Sequence, residues 1–367
     1  MKKRDAGRTA LPKSDKGRYD VDSVSRGAGK MKRKNKVTMN DIARAAGVSQ
    51  ATVSLVINQS RNIKLSEETR QRVLAVAGEL GYDRLPAIHS PRNQQEIALL
   101  ISSLQSYDPF IDAISQARDA AWRNEVLLTV YDYGDDSELA LNIIRQLEKR
   151  NCVGIILASP VTAMVDMTVF QDCTTLPLVL LNQRDPDSPL LPSFVPDDYA
   201  NAYQLTRHLI NQGATRIAHI TGESWMEATR QRLAGYQAAL TQAGITPLPE
   251  WVQQSNWQFN ESYQATVTLL ALETRPDAIF CASDWLAIGC YQALSTHGVP
   301  VPEAMLVAGY DDQKISEQMT PPLTSIQLPY GELGRLAVEY LCNAEDAATH
   351  LTLAGRLKIR RSSQSNL

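Results

Sequence analysis

The spacing of apolar positions changes twice along the chain. Residues 1–36 show no apolar periodicity and are rich in Lys, Arg, Gly, Asp and Ser, the pattern of a disordered basic extension. From Val37 short helical stretches with clear ends take over. Thr38 can cap a helix, and Asp41 three residues on completes a capping-box spacing. Ile42, Ala43 and Ala46 form one apolar face, and Gly47 stops the helix as a left-handed C′ residue does. Ser49 opens a second helix with Val53, Val56 and Ile57 inside, and residues 58–62 read as polar loop. Ser66 opens a third, with Glu67 and Glu68 in its positive first turn. Val73, Val76, Ala77 and Leu80 form its inner face, and Gly81 ends it. The Gly47-Val48-Ser49 turn between the first two helices makes the set a helix-turn-helix unit.

Residues 83–95 hold two prolines among polar residues and read as a linker. Beyond it, apolar runs of strand length recur at 97–101, 126–130, 153–157, 176–181, 216–220, 278–281 and 305–310, with amphipathic helical stretches between. That alternation predicts parallel α/β structure. The polar, proline-rich stretch 182–198 divides the strands into two groups, so two lobes with a cleft between them are expected. The predicted fold is an N-terminal all-α helix-turn-helix headpiece plus an α/β core of two parallel-sheet lobes. Its expected limits are 1–36 for the extension, 37–84 for the headpiece, 85–95 for the linker, 96–361 for the core and 362–367 for a tail.

The net charge of -3 conceals a division. Residues 1–92 carry 20 Lys/Arg against 9 Asp/Glu, and the remaining 275 carry 17 against 31. A basic end on an acidic body fits a polyanion-binding head, although 13 of those 20 cations precede Val37. No apolar run reaches the ~18 residues of a spanning helix, so no membrane partner is expected. The N-terminus has charge but no apolar segment behind it, unlike a secretory signal. Five cysteines, at 152, 173, 281, 290 and 342, form no C-x-x-C pair, which fits a reduced, cytoplasmic setting without disulfides or a metal site.

Enzyme motifs are missing: GAGK at 27–30 lacks the strand and helix of a phosphate loop, and nothing pairs a nucleophile with a base. No cofactor is expected. Polar and aromatic residues instead gather where strands end, the place where α/β folds bind ligands. Ser102, Ser103, Tyr107, Asp108 and Phe110 follow the first strand, and Asn182 and Arg184 the fourth. Ser283, Asp284 and Trp285 follow the run at 278–281, and Asp311 and Asp312 that at 305–310. Arg232 heads a helix, and Trp257 follows a short apolar stretch. Carboxylates, amides and arginine can bind hydroxyls, while aromatic faces stack on the C–H faces of a pyranose. Taken singly, each such residue is equally well a helix cap or a core side chain.

The segments VTMNDIARAAGVSQATVSLVIN (37–58) and SEETRQRVLAVAGELGY (66–82) resemble the headpiece of the lactose-repressor/galactose-repressor (LacI/GalR) family of bacterial transcriptional repressors. Weaker marks follow in order: Asp-Pro-Phe at 108–110, TRQRLAGY at 229–236, SDWLAIG at 283–289, AGYDD at 308–312 and PPLTSIQLP at 321–329. The stretch at 182–199 is also similar to sucrose-type repressors of that family. The resemblance implies a homodimer that binds double-stranded operator DNA and leaves it when a small effector, a mono- or disaccharide, enters the cleft. By position it implies base reading by Gln50, Ala51 and Leu55, and backbone contacts by Thr38, Ser49, Thr52, Ser54 and Asn58. It also implies effector contacts by Ser102, Phe110, Asn182, Arg232, Trp257, Ser283, Asp284 and Asp311. Two departures stand out. Ser283 replaces the family's usual Asn, and Pro86 and Pro91 fall where the family has a minor-groove hinge helix. The alternative reading is a transport-type sugar-binding protein without a DNA role, its N-terminal helices incidental; export would require a secretory signal, which the N-terminal pattern does not resemble. Residues 1–30 read either as a basic arm along DNA phosphates or as sequence upstream of a true start at Met31, and Asp5, Asp15, Asp20 and Asp22, which a phosphate-binding arm would avoid, favour the second.

Overall fold

The computed structural model describes residues 37–57, 65–80, 82, 95–104, 109–134, 136–343 and 349–364. The expected extension at 1–36, the loop that begins at Asn58, Gly81, the linker up to residue 94, Tyr107 and Asp108 lie outside the described residues. The chain falls into two compact units, divided between Arg92 and Asn93.

In the first unit α1 (Met39–Ala46), α2 (Gln50–Ile57) and α3 (Glu67–Glu79) enclose a small core of Ile42, Val53, Val56 and Val73. The local chemistry sets each end. Thr38 Oγ1 accepts from the Asp41 N–H at 3.4 Å, and the Thr38 N–H donates to the Asp41 carboxylate at 2.9 Å. Gly47 adopts φ 64°, a conformation that needs a residue without Cβ, and so turns the chain between α1 and α2. Leu80, expected inside, caps α3 and is 38% exposed, because the helix ends before its last turn can face inward.

The second unit begins with β1 (Glu96–Ile101), α4 (Ile111–Arg123), β2 (Leu127–Asp132), α5 (Ser137–Leu147), β3 (Cys152–Met164), α6 (Thr168–Gln171), β4 (Leu178–Arg184) and β5 (Ser193–Pro196). A second series follows: α7 (Asp198–Asn211), β6 (Ile217–Thr221), α8 (Glu227–Gln242), β7 (Val252–Gln254), α9 (Phe259–Ala271), β8 (Ala278–Cys281), α10 (Asp284–Thr296), β9 (Leu306–Ala308), α11 (Lys314–Gln318) and β10 (Ser325–Gln327). The chain ends in α12 (Tyr330–Asn343), β11 (His350–Leu353) and β12 (Arg356–Lys358).

Two parallel sheets result, ordered β11-β5-β4-β3-β1-β2 and β7-β6-β8-β9, with β10 and β12 as an antiparallel pair. The strands' unbroken apolar runs are what burial on both faces requires. β1 is buried from Ile97 to Ile101, and β6 and β8 throughout.

The stretch 182–198 parts the predicted strand runs as expected, with β1 to β4 in one sheet and β6, β8 and β9 in the other. It is not a bare connection, however: Ser193–Pro196 is a fully buried strand of the first sheet, paired with β4 and β11. Its prolines start and end that strand without taking a ladder position in its middle. The chain enters the second lobe at α7 and returns to the first as α12, which packs along α4. There a Cβ on Gly334 would lie 2.2 Å from the Ala113 carbonyl. The core also runs past Arg361, because Ser362 and Ser363 are fully buried rather than part of a tail. Among the described residues, no helix is long and apolar enough to cross a membrane.

Candidate functional site

The exposed side of α2 is set by its buried side. Val53, Val56 and Ile57 face inward, which leaves Gln50 and Ala51 exposed and Thr52, Ser54 and Leu55 half-buried. Ser49 caps the helix by accepting the Thr52 N–H at 3.0 Å, and the two hydroxyls bond each other at 2.8 Å. Thr38 likewise donates its hydroxyl to Asp41 at 2.7 Å, and these Thr38 hydrogen bonds hold the Asp41 carboxyl below its ordinary pKa. Asn58 lies outside the described residues.

In the second unit a cavity of about 320 Å³ opens between the lobes. Of the eight effector positions named from sequence, Arg232, Trp257, Ser283 and Asp311 line it together. The other four lie elsewhere. Phe110 is fully buried, 5.3 Å edge-on from Tyr330. Asn182 is buried beneath the cavity, where its amide donates to Tyr330 Oη at 3.1 Å and to the Ser159 carbonyl at 2.9 Å. Asp284 points away, accepting from Ser325 Oγ at 2.6 Å and from the Gln313 N–H at 2.7 Å. Ser102 is half-buried at the end of β1, its N–H on the Ala158 carbonyl at 3.4 Å.

Arg232 comes from the first turns of α8 and is 3% exposed. Its Nε donates to Asp198 Oδ1 at 3.0 Å, its Nη1 donates to the Ala282 carbonyl at 2.6 Å, and Asp311 lies 3.9 Å away. The guanidinium sits 3.8 Å over the Tyr310 ring and 5.7 Å from the Trp257 ring. Burial alone would depress its pKa, but Asp198, Tyr310 and Asp311 reverse that and raise it. Asp198 also accepts from Tyr310 Oη at 2.8 Å and from Thr162 Oγ1 at 2.9 Å. The site is therefore a fixed guanidinium on a carboxylate cradle, with indole, phenol and amide groups around it.

Two profiles match the chain. Residues 38–84 fit the bacterial regulatory proteins of the lacI family, and residues 206–363 fit the periplasmic binding protein-like domain. The ribose operon repressor of Escherichia coli (strain K12) is 35% identical over 312 residues, which is 83% of this chain and 92% of that protein. The chain belongs to the LacI family. The transcriptional repressor PurR of Aliivibrio fischeri (strain ATCC 700601 / ES114) is 30% identical over 83% of this chain and 90% of its own. Among solved structures, the lac repressor dimer bound to operator and the anti-inducer ONPF matches with TM-score 0.71 and 26% identity, over 89% of this chain and 99% of that one. The complex of transcriptional regulator CelR with cellobiose matches with TM-score 0.64 and 27% identity over the same shares. This LacI-family chain is a DNA-binding transcriptional regulator.

Several cavity residues of this LacI-family core escaped sequence reading. Tyr330, Met226, Asn256, Gln258 and Gln313 line the cavity. Asp198 carries Arg232. The pair Asp197-Asp198 held a usable signal, since one Asp suffices to cap a helix. Asp197 accepts the Ala200 N–H at 2.9 Å, and Asp198 serves the guanidinium. Tyr330 had no signal, because α12 reaches the cleft only through the chain's return to the first lobe. His219, buried and stacked 4.2 Å from Phe280, is pushed down to about pKa 4 by its burial, so it is a neutral core residue.

Proposed function

We propose that this regulator represses a carbohydrate-utilisation operon, holding double-stranded operator DNA as a homodimer and releasing it when a small sugar enters the interlobe cavity. The observation that carries this reading is the cavity wall, where the Trp257 and Trp285 indoles stand beside Arg232, Asp311, Asn256 and Gln258. Indole faces suit sugar C–H faces, and guanidinium, carboxylate and amide groups suit hydroxyls. Relatives named for the ribose operon, and one solved with cellobiose, support a carbohydrate. The described lining contains no His, Cys or Lys, and Ser283 Oγ caps α10 by accepting the Leu286 N–H at 3.1 Å, which favours binding over chemistry. No lining residue falls within 182–199, so the sucrose-type likeness of that stretch supplies no direct contact.

In this reading Gln50, Ala51 and Leu55 read bases, while Thr38, Ser49, Thr52, Ser54 and Asn58 lie along the DNA backbone. Residues 37–84 bind DNA, 85–95 link, and the core from residue 96 dimerises and senses; the protein works in the cytoplasm. A transport-type sugar-binding protein would leave the headpiece without a role. The test is an operator titration by fluorescence anisotropy, with and without a panel of sugars. Release of the operator by at least one sugar is expected, and operator affinity unmoved by every sugar overturns the reading.

A further inference from the structure

We propose that the sensing site has a second compartment, and that its effector is an uncharged molecule of two sugar rings lying across both; the inference rests on reading the cavity as an effector site. A second cavity of about 350 Å³ shares Pro109, Asp311, Gln313 and Tyr330 with the first as a common wall. Each volume is at the small end of the ~300–1,000 Å³ typical of ligand sites. Their walls differ in kind. The first is aromatic, with Trp257 and Trp285; the second is aliphatic, with Ile111, Ile315 and Leu328, rimmed by Asp112 and Gln327. Ile111 and Ile315 are 44% and 38% exposed, apolar area that a ring's C–H face would remove from water.

The backbone of the shared wall is held in an uncommon state. Asp311 and Asp312 have φ of 104° and 53°, on the left-handed side of backbone space that few side-chain-bearing residues adopt. The Asp311 N–H on the Ile326 carbonyl at 2.9 Å and the Asp312 N–H on Ser325 Oγ at 3.0 Å keep it so. That conformation places Asp311 on both compartments at once, where one carboxylate can hold hydroxyls of two adjoining rings.

Charge excludes phosphorylated sugars. Arg232 is engaged by Asp198 at 3.0 Å and has Asp311 at 3.9 Å. In the second compartment Lys314 stands with Asp112 and Asp311, while Asp312 is paired with Arg360 at 2.7 Å. Carboxylates outnumber cations along the whole path, so a phosphate dianion would meet net repulsion.

The experiment is calorimetric titration of the full chain with maltose, cellobiose and sucrose, with glucose, fructose and ribose, and with the 6-phosphates of glucose and fructose. At least one disaccharide is expected to bind about tenfold tighter than its component monosaccharides, and the phosphates not at all. Ile315→Trp, which fills the second compartment alone, should weaken that disaccharide about tenfold while leaving operator affinity unchanged; Asp112→Ala should weaken it in the same direction. A monosaccharide or a phosphate binding as tightly as any disaccharide overturns the proposal but leaves the effector reading standing. So does full disaccharide affinity in Ile315→Trp. Absence of binding by every sugar overturns both.

Discussion

Single atoms decide how the cavity is walled. A Cβ on Gly222 would lie 2.1 Å from the Trp257 indole, so Gly222→Ala should displace that ring, weaken effector binding several-fold and leave operator affinity intact. Equal effector affinity in the variant would remove Trp257 from the site. Arg232→Ala is a poorer probe, since it strands Asp198 in the interior, a defect of about 3–5 kcal/mol. On α2, Gln50→Ala should lower cognate-operator affinity by about 1–3 kcal/mol and leave random DNA unaffected. An equal loss on both DNAs would deny Gln50 a base-reading role. Behind the cavity, burial pushes the Asp284 carboxyl up to about 7, against the Ser325 and Gln313 donors that favour its charge. The folded state thus holds this proton more tightly than an unfolded Asp of pKa ~3.9 does, so its stabilisation is full at acid pH and fades between about pH 4 and 7. Thermal melts across that window should show a steeper decline for the native chain than for Asp284→Asn; parallel slopes would contradict the assignment.

At the scale of elements, the same motif glycines that mark the family are contact points between helices. A Cβ on Gly235 would lie 2.2 Å from the Tyr199 carbonyl, bringing α8 against α7, and one on Gly289 would lie 1.9 Å from the Phe259 carbonyl, bringing α10 against α9. Gly289→Ala should therefore cost about 1–3 kcal/mol in chemical denaturation, and should also weaken effector binding, because α9 begins two residues after Trp257. Unchanged stability would mean the helices separate freely. This explains what the sequence made legible. Capping residues at 38, 49 and 66, the Gly47 turn and the apolar strand runs act within a few residues of themselves, so the headpiece and the main strands could be read directly. The site was legible in part. Arg232, Trp257, Ser283 and Asp311 follow strand ends or open helices, but Asp284 and Asn182 stand at similar ends and turn toward the protein. Which way such a side chain faces depends on Tyr330 and Ser325, far along the chain. The strands β5, β7 and β10 to β12 are three or four residues each and, unlike the equally short but wholly apolar β8 and β9, mix polar and apolar residues, so no run marks them.

For the molecule as a whole, light scattering should give twice the mass of one chain, and a monomer at micromolar concentration would count against the homodimer. A chain starting at Met31 should keep its ratio of specific to random DNA affinity at two salt concentrations; a large fall in that ratio would give residues 1–30 a role in recognition. The route of the C-terminus bears on how such a chain is made. β11 edges the first sheet beside β5, while Ser362 donates to the Val307 carbonyl at 2.6 Å and Ser363 bonds His208 Nε2 at 2.7 Å in the second lobe. A ribosome delivers these residues after the main strands of both lobes, whereas the three headpiece helices are complete after about residue 80 and share a core of their own. During synthesis a formed DNA-reading unit therefore precedes a core neither of whose lobes is yet complete. A stop codon ahead of β11 would leave the same half-finished state, a headpiece with nothing to govern it.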